Sequence, residues 1–504
     1  MTGSGVLLLI RQILVAIHGN VGIRGPTRSQ REEEDFERSA IMRRFPDLKN
    51  RLAFRLLGDN FPTPVHRGEC SHNGHECNFY VKREDLCSSN RYGGNKVRTL
   101  QHQLGVVEAR VETENVKNLI VIGSAGSNQI VASVVYTNSL KSKPSVSASW
   151  MAKDPENLDN AMNMLSSLSF SSLRADISNT WANPIKMLRQ VIGALWSKSS
   201  STVILPMGGN SPAGVLGQIS ACLELAEQIE KGELKDPPAI YLAVGSSCTV
   251  SGLVIGIALA RRLNMNAFSS TKIVGVPIHH AIGMSFLSFL YKSLSLHQQH
   301  PPYTYTATLQ RSIGFLKSKM FGWIPLTTRH TVATTCDVLE KLLPNSIEIR
   351  ALKEDALQVM EHELEFKAEK SMIGTYGGHS KLSKTFSEMY DRTGKIFDSS
   401  GNRAEHIWLC GHFTSKAFAV MIQDIERAKL SGKHDYCPLF WQTKSAIQPR
   451  GDVDEFDLAK KVLPSKVHRW LNRSKQDSTL RPGRIDMNSK VATSYRNLMT
   501  RSML

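Results

Sequence analysis

The hydrophobic pattern of the middle of the chain alternates between short apolar runs and longer amphipathic segments. Five runs have the length and the aliphatic, β-branched character of buried strands, at 118–123, 202–205, 239–244, 272–276 and 406–409. A helical pattern lies between two of them at 213–230, where Val215, Leu216, Ile219, Leu223 and Ala226 share one face. Apolar strands that alternate with helices predict an α/β fold with mostly parallel sheets covered on both faces.

Composition places the chain among ordinary globular proteins. It has 504 residues, of which 41% are hydrophobic and 21% charged, and this length is enough for two or three domains. Its eight cysteines are too sparse for a disulfide framework. No uninterrupted apolar stretch reaches the about 18 residues of a membrane-spanning helix, so we expect no membrane partner.

The net charge of +17 is concentrated at the two ends of the chain. Residues 1–55 contain 10 basic and 6 acidic residues, and residues 431–504 contain 14 basic and 7 acidic residues. Basic ends can bind polyanions by counterion release, but no recognition motif for nucleic acids accompanies them. We interpret both ends as solvated extensions and expect no nucleic-acid partner, and polyanion binding stays open as an alternative function.

The first residues are typical of a targeting segment. Residues 6–17 are apolar except for Arg11 and Gln12, and no acidic residue precedes Glu32. Because the charge interrupts the apolar run instead of preceding it, the pattern favours an organelle presequence over a secretory signal. The other interpretation is an extension without a targeting function. The predicted location is therefore mitochondrial or cytoplasmic.

Ligands in open α/β sheets bind beyond the carboxyl ends of the strands, so the turns there are the candidate sites. One turn reads Tyr92-Gly-Gly-Asn-Lys-Val-Arg98. Its glycines allow close backbone approach, and Asn95 is the predicted N-cap that places Lys96 in the first helical turn. A lysine near the positive end of a helix is more easily neutral, as a Schiff-base nucleophile must be. Alone, this motif is more typical of a surface lysine.

Further motifs lie before and after this turn. They are Tyr80-Val-Lys-Arg-Glu-Asp-Leu86, Gly126-Ser-Asn-Gln129, the segments 205–214 and 245–253, Gly374-Thr-Tyr-Gly377 and Phe413-Thr-Ser-Lys-Ala417. In order and spacing, this set resembles the ACC deaminase and D-cysteine desulfhydrase family of pyridoxal-phosphate enzymes. The resemblance spans about residues 60–430. It implies an α/β enzyme of fold type II, similar to the tryptophan synthase beta subunit, with two three-layer domains, pyridoxal 5'-phosphate as cofactor and assembly as a homodimer.

The resemblance also implies the site residues. The catalytic residues would be Lys96, Ser127 and Tyr376. Lys96 would bond the cofactor, Asn128 would hold the pyridoxal O3′, Thr414 would face the pyridine nitrogen, and the phosphate would be bound by Gly245, Ser246, Ser247, Cys248 and Thr249. The substrate would contact Asn95, Ser127, Asn128, Gln129 and Phe413. A neutral threonine hydroxyl does not keep the ring nitrogen protonated, which suits elimination better than transamination.

Departures from the family pattern bear on the substrate, which we expect to be a small amino acid. Phe413 stands where the family usually has tyrosine, which favours D-cysteine desulfhydration to pyruvate, sulfide and ammonia over ring opening of ACC. The turn with Ser127 and Gln129 favours ACC deaminase instead. Ser247 and Cys248 replace loop glycines, and Thr375 replaces a third glycine, so a non-catalytic relative with a regulatory role is the alternative.

Three parts of the chain follow from these patterns. We predict an N-terminal extension at 1–55, a catalytic region of two interleaved α/β subdomains at 56–430, and a basic C-terminal extension at 431–504. Insertions are expected near 66–78 and 281–345. Cys70, His72, His75 and Cys77 lie in the first insertion, but their spacing does not match the usual zinc pairs. We therefore expect a surface hairpin there and no metal.

Overall fold

The structure is a computed structural model, and the residues that it describes are 30–88, 92–124, 126–150, 158–175, 201–278, 323–367, 380–411, 413–445 and 447–449. Eleven strands form two sheets within these residues. The strands are β1 (Val65–His72), β2 (His75–Arg83), β3 (Asn118–Gly123), β4 (Ser145–Trp150), β5 (Leu173–Ala175), β6 (Thr202–Leu205), β7 (Ala239–Val244), β8 (Lys272–Pro277), β9 (Leu364–Phe366), β10 (Lys395–Phe397) and β11 (Leu439–Gln442).

The two sheets are mainly parallel, which confirms the predicted α/β class. The smaller sheet has the order β5-β4-β3-β6 and is parallel throughout. The larger sheet has the order β10-β1-β2-β11-β7-β8-β9. It is antiparallel only where β1 pairs with β10 and with β2.

Helices cover the sheets. They are α1 (Gln30–Glu37), α2 (Ala40–Arg44), α3 (Asn95–Glu114), α4 (Asn128–Thr137), α5 (Leu158–Leu168), α6 (Pro212–Glu230), α7 (Cys248–Arg262), α8 (Trp323–Leu342), α9 (Leu352–His362), α10 (Lys381–Thr393) and α11 (Thr414–Leu430). Short 3-10 turns occupy Pro46–Asn50, Glu84–Leu86 and Met207–Gly209. No helix in the described part of the chain is both long and apolar enough to cross a membrane.

Four of the five predicted strands are present, as β3, β6, β7 and β8, and the predicted helix at 213–230 is α6. The five apolar residues expected on one face of α6 are all fully buried. Residues 406–409 are not a strand. Their backbone is bonded by side chains instead, since the Trp408 carbonyl accepts from Gln442 Nε2 at 3.0 Å and from Thr414 Oγ1 at 3.1 Å.

The predicted boundaries of the catalytic region need correction at both ends. Phe36, Ile41 and Leu48 are buried in the same core as α6 and α7, so the fold begins within the predicted N-terminal extension. At the other end, β11 lies between β2 and β7 in the larger sheet. Strand β11 has only three apolar residues and one glutamine, with polar residues on both sides, so its sequence signal is weak. All four of its residues are nevertheless buried.

The two predicted insertions also contribute to the fold where they are described. Residues 66–78 form the antiparallel pair β1 and β2, which is part of the larger sheet. From the second segment, α8 buries Val332 and Leu339 in the core around α6 and α7. Residues 281–322 lie outside the described residues, as do residues 1–29 with the predicted targeting segment.

A buried cluster of four charges joins the elements around the start of α3. Arg98 of α3 donates from Nε to Glu84 Oε2 at 2.8 Å and from Nη2 to Glu224 Oε1 of α6 at 2.7 Å. Lys82 of β2 donates to the same Glu224 oxygen at 2.7 Å. All four side chains are at most 2% exposed. Burial alone would raise the pKa of Glu224, but Arg98 and Lys82 lower it to about 2.

Removing one charge from this cluster tests its contribution to stability. Glu224→Gln preserves the shape of the side chain but leaves Lys82 and Arg98 as buried cations without enough counter-charge. We expect a loss of about 3–5 kcal/mol in the free energy of unfolding. Glu114→Gln is the matched control, because Glu114 pairs with Arg110 at the exposed end of α3, and such a pair contributes about 0–1 kcal/mol.

Urea unfolding of both variants and the wild type measures the difference. Folding lowers the pKa of Glu224 from 4.5 to about 2. The ionised carboxylate therefore stabilises the folded wild type fully above pH 4.5, and the difference in unfolding free energy between the wild type and Glu224→Gln should shrink as the pH falls towards 2. Equal small losses for the two variants at neutral pH would show that the cluster does not stabilise the fold.

Candidate functional site

The start of α3 places Lys96 next to the loop that precedes α7. The N-cap is Gly94 with φ 94°, and not Asn95 as predicted. A Cβ at Gly94 would lie 2.5 Å from the Thr443 carbonyl oxygen, so only glycine fits. Asn95 is the first helical residue, and its Nδ2 donates to Thr249 Oγ1 at 2.8 Å. The predicted cap therefore ties α3 to the start of α7.

Lys96 is half-buried, and its amine faces a neutral group. Its Nζ donates to the Gly208 carbonyl at 3.0 Å. Burial lowers the pKa of the Lys96 ammonium, and the neighbouring Cys248 thiol opposes part of that shift. A buried lysine with a lowered pKa has a larger neutral fraction, and the neutral amine is the nucleophile and the base.

The loop Gly245–Thr249 connects β7 to α7 and has the features of an anion site. The first N–H groups of α7 have no acceptor within the helix, and the helix dipole is positive at this end. Ser246 Oγ donates to the Gly208 carbonyl at 3.3 Å. Lys96 and the predicted phosphate loop therefore meet at one carbonyl oxygen.

The two side chains that replace loop glycines are accommodated. Ser247 has φ 70°, a left-handed conformation that glycine adopts most easily. The Cys248 thiol is buried, with its sulfur 3.7 Å from the Gly209 carbonyl and 3.9 Å from Thr99 Oγ1. Burial raises the pKa of this thiol, although Lys96 counteracts the effect. The thiol thus packs against Thr99 of α3 and the Gly209 carbonyl.

The turn at the start of α4 brings three predicted residues to the same region. Ser127 is the N-cap, and its Oγ accepts from the Gln129 N–H at 3.2 Å. Asn128 Oδ1 accepts from Tyr92 Oη and from Asn163 Nδ2, both at 2.7 Å. Gln129 is fully buried next to Gly209, and neither atom of its amide has a partner among the described residues. A buried amide without a hydrogen-bond partner costs folding free energy.

The late segments are only partly described. The Phe413 ring lies close to Gly245, where an added Cβ would be 3.6 Å from Phe413 Cε1. Thr414 Oγ1 accepts from the Cys410 N–H at 2.8 Å and donates to the Trp408 carbonyl at 3.1 Å. The single hydroxyl proton of Thr414 is therefore engaged within the chain. Tyr376 and Thr375 lie outside the described residues, so their predicted roles stay predictions.

Sequence reasoning missed the residues that follow β11. The Thr443 carbonyl accepts from the Asn95 N–H at 3.2 Å, and the Thr443 side chain is buried there. Lys444 is 2% exposed and contacts Asn128 and Asn163. The signal was a short apolar run at 439–442 followed by polar residues, which is the same strand-end pattern that identified the other turns.

The cysteine and histidine residues of the β1–β2 hairpin are not arranged as a metal site. Cys70 is directly opposite Cys77 in the register of the two strands. His72 Nδ1 contacts Glu426 of α11. Across the described ranges, no group of three or more cysteine, histidine or acidic side chains is arranged to hold a metal ion.

Comparison with known proteins identifies similar sequences. The family model "Pyridoxal-phosphate dependent enzyme" matches residues 56–294. A Pyrococcus furiosus protein named "Putative 1-aminocyclopropane-1-carboxylate deaminase" is 29% identical over 36% of this chain and 53% of its own length. A Klebsiella pneumoniae D-cysteine desulfhydrase is 26% identical over 42% of this chain and 61% of its own length. The chain thus matches little more than half the length of these relatives.

A solved structure titled as an ACC deaminase homologue superposes with a TM-score of 0.47 and 17% identity, covering 82% of this chain and 98% of that one.

Substitution of Thr414 separates a structural role from the predicted contact with a cofactor ring. Thr414→Ala removes the hydroxyl oxygen that accepts from the buried Cys410 N–H at 2.8 Å, which we expect to cost about 1–3 kcal/mol of folding stability. Thr414→Ser retains the hydroxyl and should retain most of the stability. Thermal unfolding of the two variants measures this contrast. An alanine variant as stable as the wild type would show that these two bonds of the Thr414 hydroxyl do not stabilise the fold.

Proposed function

We propose that this chain is a pyridoxal-phosphate dependent enzyme, since the family model of that description matches residues 56–294, and that it binds pyridoxal 5'-phosphate and acts on a small amino acid. The observation that carries the proposal is the half-buried Lys96 amine, which shares the Gly208 carbonyl with Ser246 of the loop before α7. A nucleophilic amine and an anion-binding helix start are thus adjacent. An aldehyde that carries a phosphate group requires this pair of groups.

The other residues of the site fit the same cofactor. The backbone N–H groups of residues 246–249 would bind its phosphate, and Thr249 is already joined to Asn95 at 2.8 Å. The unpartnered Gln129 amide offers both a donor and an acceptor. Thr414 would offer its hydroxyl to the ring nitrogen if it exchanged its present bonds to Cys410 and Trp408. A neutral hydroxyl leaves that nitrogen largely unprotonated.

The chain's own groups would then carry out the proton transfer. When bound, the cofactor supplies an electron sink for the negative charge that develops at the substrate Cα. Lys96 Nζ, which burial keeps neutral more often than a surface lysine, takes the proton from Cα. Ser127 lies at the start of α4, where its hydroxyl can contact the substrate.

D-cysteine is the substrate that we propose within this class. Lys96 removes the Cα proton, and the Cβ–S bond breaks with the electron pair going to sulfur, which leaves as sulfide. One water then hydrolyses the remaining three-carbon fragment to pyruvate and ammonia. The apolar Phe413 offers no acid for opening a cyclopropane ring. The names of the relatives support both a D-cysteine desulfhydrase and an ACC deaminase activity, so the second is the alternative. Assembly as a homodimer and a mitochondrial location stay predictions.

Covalent trapping tests the proposed cofactor site. Borohydride reduction of the protein with pyridoxal phosphate should attach the label to Lys96, because its amine is half-buried, nucleophilic and next to the loop. Peptide mapping identifies the labelled lysine, and Lys416→Met is the control, since Lys416 is a buried lysine whose Nζ donates to the Ile278 carbonyl. A label elsewhere, or a folded protein that takes up no cofactor, would refute the proposal.

Parallel assays distinguish the two substrates. We expect faster release of pyruvate from D-cysteine than of 2-oxobutanoate from ACC, because elimination of a thiol needs only Cα deprotonation and a leaving group of modest pKa. Phe413→Tyr should raise the relative rate on ACC. Faster turnover of ACC by the wild type would reverse the substrate assignment, and no turnover by a loaded protein would favour the non-catalytic alternative.

A further inference from the structure

Lys444 is a buried lysine that no part of the proposed chemistry uses. It follows β11 and is 2% exposed. Its Nζ lies 2.9 Å from Asn163 Oδ1, 3.1 Å from Asn128 Oδ1 and 3.4 Å from Tyr92 Oη. The ammonium also lies 4.8 Å from the Trp408 ring centroid and 5.3 Å from that of Tyr92. Lysine has only donors, so each of these atoms must present an acceptor or a ring face to it.

This requirement fixes the orientation of the Asn163 amide and, through it, of the Asn128 amide. Because Lys444 donates to Asn163 Oδ1, the Asn163 Nδ2 must face the other way, where it donates to the Gly126 carbonyl at 2.9 Å and to Asn128 Oδ1 at 2.7 Å. Asn128 Oδ1 thus receives donors from Lys444, Asn163 and Tyr92. The Asn128 Nδ2 is left facing away from this cluster, with no hydrogen bond to another described residue.

We propose that Lys444 is a positioning residue that holds the Asn128 amide with its Nδ2 donors directed towards the bound cofactor. The inference rests on the proposed function, because the group that accepts from Nδ2 is an oxygen of pyridoxal phosphate. The phenolic oxygen beside the reactive carbon is the acceptor with the required chemistry.

Cofactor binding and the spectrum of the bound cofactor test this role. The variants are Lys444→Met, which keeps an apolar chain between the Trp408 and Tyr92 rings, and Asn163→Leu, which removes the second link between Lys444 and Asn128. Both should weaken pyridoxal phosphate binding about tenfold, as expected for loss of one well-oriented hydrogen bond. Both should also move the midpoint of the pH-dependent absorbance change upwards, because a phenolate without its donor holds a proton more tightly.

A double-variant cycle distinguishes positioning from general damage. Asn128→Ala should give the same two changes, and Lys444→Met added to it should give no further spectral shift. Lys416→Met, which alters a buried lysine on α11 whose Nζ donates to the Ile278 carbonyl, should leave the spectrum unchanged. If Lys444→Met does not fold, Asn163→Leu and its combination with Asn128→Ala make the same comparison.

The outcomes separate this inference from the proposed function. A wild-type protein that binds no pyridoxal phosphate would overturn the proposed function. A wild type that binds it, with Lys444→Met and Asn163→Leu unchanged in affinity and spectrum while Asn128→Ala is altered, would overturn the role of Lys444 alone. Additive shifts from Lys444→Met and Asn128→Ala would do the same, because they would show that Lys444 acts without Asn128.

Discussion

The buried ion cluster of Arg98, Glu84, Glu224 and Lys82 is the constraint on which the site depends. Its two cations and two anions balance, and each is at most 2% exposed, so no member can leave without stranding a charge. Arg98 lies two residues after Lys96 on α3. By joining α3 to β2 and to α6, the cluster fixes the first helical turn, and with it the position of the Lys96 amine.

The site itself is assembled from the ends of strands in both sheets. The turn after β6 contributes the Gly208 carbonyl, the turn after β7 contributes the anion-binding loop, and the segment after β11 contributes Lys444. Gly208, with φ 64°, allows this convergence, because a Cβ there would lie 2.4 Å from Ser246 Oγ. The helix caps and glycines of these turns therefore form one site only because the parallel sheets bring the carboxyl ends of their strands together.

Sequence patterns predicted the individual strands and helices better than they predicted where the folded region begins and ends. Four apolar runs became strands and the apolar face of α6 is buried as expected, because continuous aliphatic runs leave few alternatives. The folded region is longer than predicted at both ends, where it includes the core residues around Ile41 and the strand β11. Both segments are short and lie among polar residues, so their patterns did not indicate burial. Lys444 was missed for the same reason, since a lysine in a basic extension looks solvated until its strand is placed.

The most direct test of the account is a crystal structure of the protein with pyridoxal phosphate, because its central claim is that Lys96 and the loop before α7 form the two halves of one site. The account predicts the phosphate on the backbone N–H groups of residues 246–249 and electron density continuous from the cofactor to Lys96 Nζ. Cofactor bonded to another lysine, or an ordered loop with no phosphate at saturating cofactor, would contradict it.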